Sequence, residues 1–266
     1  MEDIIFNKHF QLVILQVYCL KPFLFVTTIY IYIYLINYQN RWQFKLLIKF
    51  LYLIFRGGLM NDNISNTKKQ RFYAICGIIA PIIFWIMVIV ESILRPGYSQ
   101  YYNFVSDLGV GHLAILQNIN FILFGILTII FTVGLRNGLP LPSGRSLRAS
   151  VWFVIVFALG VLLAGVLPES FLSANPHNIV SATAFVAIIA AQLLMWQGLK
   201  NRDKNVWGRY ATYSLISGLI SLILVIILKV AILYGFYPGL SQRAFLLVSW
   251  AWIGITGIKL YILTRK

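Results

Sequence analysis

Acidic residues are scarce in this chain. Among 266 residues there are seven Asp and Glu against 22 Lys and Arg, and charged residues amount to 11%, where soluble domains carry about 25%. A domain of this length cannot be coated for water with so few charges, so a soluble globule is excluded. Cysteine is just as sparse. Cys19 and Cys76 both lie in apolar runs, which excludes a disulfide framework and a cysteine metal site. Histidine occurs three times with neither an HxxxH nor an HExxH spacing, so no metal and no other cofactor is expected.

Apolar surface is what the chain has in quantity: 60% hydrophobic residues, 15% aromatic and a mean hydropathy of +0.82. Crossing a hydrocarbon core takes about 20 predominantly apolar residues. Six runs after Met60 meet this length: 72–94, 113–135, 149–167, 178–199, 210–234 with Lys229 inside it, and 244–263 with Lys259 near its end. Between them stand helix stops, namely Arg95-Pro96-Gly97, Asn137-Gly138 with Pro140 and Pro142, Pro168, Asn175-Pro176 and Pro238-Gly239. No run alternates polar and apolar over about ten residues, as barrel strands would. The expected fold is an all-α, polytopic transmembrane bundle of six spans joined by short loops.

The net charge of +15 is distributed by side. Lys68, Lys69, Arg71, Arg136, Arg145, Arg148, Lys200, Arg202, Lys204, Arg209, Arg265 and Lys266 fall on one face, and only Arg95 and Arg243 in the loops of the other. The positive-inside rule then puts both ends of the six-span unit in the cytoplasm of a cell-membrane protein. Tyr98, Tyr101, Tyr102, Tyr234 and Tyr237 mark the outer interface, and Trp152, Trp196, Trp207 and Tyr261 the inner one. The cations read as an orientation signal with weak attraction to anionic lipid, so no nucleic-acid partner is expected.

Residues 1–59 lack alanine and serine entirely, while Ile, Leu, Phe and Tyr supply 32 of the 59. Such a composition resembles AT-rich DNA read in frame, and an AGA-GGN-GGN stretch encoding Arg56-Gly57-Gly58 would resemble a purine-rich ribosome-binding sequence ahead of Met60. The expectation is a start at Met60, with 1–59 an apolar leader and 60–266 the six-span domain. A seventh span over 22–40 is the alternative.

The stretch LRPGYSQYYNFVSDLGVG at Leu94 to Gly111, followed by QNINFILFG at Gln117 to Gly125, resembles the prokaryotic, mainly archaeal, membrane family known as domain of unknown function 998. GVLPES at Gly165 to Ser170, PHNIVSATAF at Pro176 to Phe185 and GLSQRAFLLVSWAW at Gly239 to Trp252 carry the similarity on. The resemblance covers about residues 72–263. It implies a six-span inner-membrane protein with no assigned reaction and no catalytic residue to transfer.

Polar groups capable of chemistry collect on the outer side. Glu91, Arg95, Asp107, His112, Asn118, Glu169, His177, Lys229 and Arg243 form the candidate binding cluster, since ionisable groups at membrane depth are costly and usually face a bundle interior or a wet cavity. Glu91 and Lys229 lie at similar depth and are candidates for an ion pair, with Lys229 snorkelling to the interface as the simpler reading. Ser106, Asp107, His112, Glu169 and His177 are residue types of a hydrolase, yet no GxSxG elbow is present and Ser106-Asp107 reads equally as a turn cap. Asn118 and Asn120 point about 200° apart, so at least one faces another helix. Small residues four apart, Thr183, Ala187 and Ala191 in the fourth run, Ser214 with Gly218 and Ser217 with Ser221 in the fifth, read as packing stripes.

The leading expectation is a non-enzymatic multi-pass membrane protein with an outer polar pocket, whose partners are membrane lipids or another membrane protein. A membrane-embedded hydrolase using the outer Asp, Glu and His residues is the alternative. A small transporter ranks third, because the spans lack paired mid-membrane breaks.

Overall fold

The fold follows from the six apolar runs, each of which becomes one helix. The computed structural model describes residues 66–140, 143–169 and 175–265, all within the unit Asn61–Lys266. The two readings of residues 1–59 lie outside the described residues, as do Asp62, Pro142, Ser170 and Lys266. The helices are α1 (Asn66–Leu94), α2 (Ala114–Gly138), α3 (Arg145–Val166), α4 (Asn175–Leu199), α5 (Arg209–Tyr234) and α6 (Pro238–Leu263). All six are long and apolar enough to cross a membrane, and no strand occurs among the described residues.

Local chemistry sets the helix ends. Gly235, at φ +69°, closes α5 in the left-handed conformation that glycine adopts without a Cβ clash. Pro238 then opens α6, where its missing N–H costs nothing. In α1, Pro81 lies within the helix and packs against Gly254 of α6.

Each helix packs on its neighbours in sequence, and α6 closes the ring against α1. Close approach depends on small residues, as expected for helices that gain nothing from excluding lipid. A Cβ on Gly125 would meet Leu162 Cβ at 2.6 Å, and one on Gly160 would meet Ala184 Cβ at 2.8 Å. Ala187 and Ala191 are buried in α4; in α5, Ser214 accepts the Trp252 indole N–H at 2.7 Å and the Ser221 hydroxyl lies 3.4 Å from that of Ser249. Asn120 donates to the carbonyl of Phe84 at 3.1 Å, joining α2 to α1.

Aromatic rings fill the middle of the ring of helices. Trp250 stacks on Phe124 at 4.8 Å and meets Phe157 edge-on at 5.0 Å, and Phe84 packs against both Trp250 and Phe124 at 5.4 Å. The bundle is thus plugged by side chains and has no open lumen at this depth. Burial is uneven around the ring: α3 buries 61% of its apolar stretch and α5 28%, so α5 lies at the rim with Ile216, Ile220, Ile223 and Ile227 exposed. In a bilayer that face is solvated by acyl chains.

Candidate functional site

The connection from α1 to α2 is held down at one end of the bundle by the start of α6. Arg243 is buried and donates through one guanidinium nitrogen to the carbonyls of Gln100, Asn103 and Gly239 at 3.0, 2.7 and 3.0 Å, and through the other to the Tyr98 hydroxyl. Gln242 accepts the Val105 amide at 2.7 Å. Within the connection, the Asp107 carboxylate accepts the Phe104 amide at 2.9 Å and the Asn103 side-chain amide at 3.3 Å, so Asp107 caps a turn. Burial raises the Tyr98 phenol above its ordinary value, and the Arg243 guanidinium opposes this.

This latched loop forms one wall of a cavity of about 150 Å3. Its apolar surface comes from Phe121, Val161, Phe185, Leu228 and Leu246, with Trp250 among the lining rings. Its polar lining is Ser106, Glu169, His177, Asn178, Ser181 and Gln242. The α1–α2 connection, the α3–α4 connection, α4 and α6 therefore bring polar groups to one place.

His177 sits in the first turn of α4, just after Pro176, and is 4% exposed. Its Nδ1 lies 3.2 Å from the Ala164 carbonyl and 2.9 Å from the Leu167 carbonyl. Carbonyls only accept, so Nδ1 carries the hydrogen and Nε2 of the neutral ring is an acceptor. Nε2 lies 3.7 Å from Glu169 Oε1, an electrostatic contact longer than a hydrogen bond. Burial raises the Glu169 carboxyl above the usual range, a hydrogen bond from Ser106 and the nearby His177 oppose that rise, and Asp107 adds to it by charge and by a side-chain hydrogen bond. The cluster can accept hydrogen bonds and exchange a proton between carboxyl and imidazole. Among the described residues no three His, Cys, Asp or Glu side chains stand together to hold a metal ion.

The nine candidate residues end up in different places. Glu169 and His177 line the cavity, and Asp107 reaches it through Glu169. Arg95 donates to the Asp107 carbonyl and Asn118 to the Gly109 carbonyl at 3.3 Å, while Arg243 serves as the latch. His112 and Lys229 are exposed. Glu91 is 1% exposed and, among the described residues, neither of its carboxyl oxygens has a hydrogen-bond partner. The ion pair envisaged between Glu91 and Lys229 is therefore corrected: α1 packs against α2 and α6, and Lys229 projects from the exposed side of α5.

Ser106 entered the sequence reading only as a residue type, and Asn178, Ser181 and Gln242 not as site residues at all. The spacing of Ser181, one turn after His177, was a usable signal. Nothing in the sequence around Gln242 distinguishes it from an ordinary first-turn polar residue. No curated protein and no solved structure matches the chain. Residues 78–259 match the family described as Protein of unknown function (DUF998), and this multi-pass membrane protein belongs to that family.

Proposed function

We propose that this protein binds a membrane lipid or a fragment of one, placing its polar end at Ser106, Glu169 and His177 and an apolar portion in the cavity beneath. The observation that carries the reading is the cavity itself: a chamber of about 150 Å3 lined by both apolar side chains and polar groups, Ser106, Glu169 and His177 among the latter. A cavity of roughly this size accepts a benzene-sized guest, so it holds part of an amphipathic molecule and leaves the rest in the bilayer. Ile232 supports entry from the lipid side, because it lines the cavity and is 47% exposed on α5. With the cation-rich face in the cytoplasm, the rim belongs to the extracytoplasmic half of the cell membrane.

Filling the cavity tests this directly. Native mass spectrometry of the purified chain should show a bound lipid that Ser181→Phe lacks; identical lipid adducts on both proteins would refute the reading.

A second reading is a membrane-embedded hydrolase, favoured by Ser106 and Glu169 lining one cavity and by the Glu169–His177 contact at 3.7 Å. In that case Ser106 or a water is the nucleophile and the carboxyl and imidazole handle protons. Product release from vesicle lipids by the wild type, lost in His177→Gln, would select it over simple binding.

A further inference from the structure

We infer that the cavity selects a ligand whose head group donates hydrogen bonds, a hydroxyl or an ammonium, over one that carries a phosphate. This rests on the lipid-binding reading above and specifies the chemical class of its ligand.

The first argument is the hydrogen-bonding sense of the rim. Glu169 presents a carboxyl group. With Nδ1 committed as donor to the carbonyls of Ala164 and Leu167, a neutral His177 presents Nε2 as an acceptor. A hydroxyl or ammonium has donors for both. A phosphate has only oxygens to offer these two groups, and finds hydrogen-bond donors only in uncharged side chains such as Ser106, Asn178, Ser181 and Gln242.

The second argument is charge. Among the described residues, no lysine or arginine lines the cavity. The two guanidinium groups at this end of the bundle are turned to the protein itself. Arg243 donates to three backbone carbonyls and the Tyr98 hydroxyl, and Arg95 donates to the Asp107 carbonyl. Phosphate recognition characteristically draws on such forks, and here they stitch the loop. The amino terminus of α4 lies at the rim and favours an anion by about half an elementary charge. The carboxyl groups of Glu169 and Asp107 interact at the same place and oppose that preference.

Three short-chain probes with one tail length separate the possibilities: hexanol, hexylamine and hexyl phosphate, added to the full chain in detergent. Thermal unfolding midpoints are read against Ser181→Phe, whose filled cavity corrects for effects on the micelle. Hexanol and hexylamine should raise the midpoint of the wild type and bind at least about tenfold more tightly than hexyl phosphate. In Glu169→Gln the advantage of hexylamine over hexanol should vanish while hexanol still binds. Hexyl phosphate binding as tightly as hexylamine would overturn the donor selectivity and leave cavity binding standing. Equal effects of all probes on the wild type and Ser181→Phe would overturn the cavity reading on which the selectivity rests. Should Glu169→Gln fail to fold, the order of the three probes on the wild type decides by itself.

Discussion

Glu91 is a buried carboxyl group with no partner for either oxygen among the described residues. Leaving a polar group unsatisfied in the interior costs about 1–3 kcal/mol, and more for a charge. Methionine preserves the unbranched shape and removes the polar atoms. Glu91→Met should therefore raise the thermal midpoint in detergent, whereas Lys229→Met on the exposed side of α5 should leave it unchanged. Their effects should add in the double variant, because the two side chains share no contact. A midpoint lowered by Glu91→Met would mean that the carboxyl is held after all. Glu169 behaves differently, since it has neighbours. Burial, its strongest influence, raises its carboxyl above the ordinary 4.5, so the folded state holds the proton more tightly than the unfolded chain. The stability from this group is complete below pH 4.5 and lost as pH climbs through the raised value. Glutamine cannot ionise, so the midpoint of the wild type relative to Glu169→Gln should fall from acid toward neutral pH. Asp107 and His177 face the same carboxyl, so the comparison belongs in an Asp107→Asn background as well.

Among the helices, stability depends on how closely neighbours approach. At Gly125 a new Cβ would lie 2.6 Å from Leu162 Cβ and 2.8 Å from the Ala158 carbonyl oxygen, and the second of these is backbone that cannot swing away. Gly125→Val should thus separate α2 from α3 and lower stability by about 1–3 kcal/mol. Among the described residues, Gly144 has nothing within 4 Å of its notional Cβ, and it sits at φ −64°. Gly144→Ala should then be silent in the same thermal assay, and an equal loss at both positions would show that crowding is not the cause. The loop between α1 and α2 owes its position to α6 in the same specific way. Its carbonyls converge on the Arg243 guanidinium, which explains how a segment with little regular structure forms a defined wall of the cavity.

For the molecule as a whole, orientation is the property with the widest consequences, since it decides which compartment the cavity rim faces. A cysteine at Ser143, between α2 and α3, should resist an impermeant thiol reagent in intact cells, and one at Gln100 should react; the opposite pattern would invert the topology. The number, order and approximate ends of the six helices were legible from the residues, because hydropathy and chain length act span by span and need no knowledge of neighbours. The charge asymmetry was legible for the same reason. The candidate site was only half legible. Glu169 and His177 were recognisable as costly groups near a membrane interface, whereas their meeting with Ser106 depends on three segments converging. Adjacent helical residues point about 100° apart, and so Gln242 faces the cavity while Arg243 holds the loop, a division no pattern of residue types reveals. Glu91 and Lys229 stand at similar depth along their helices, which the sequence determined. That they never meet was decided by the closed ring, in which α1 has α2 and α6 as its partners and the exposed side of α5 turns outward.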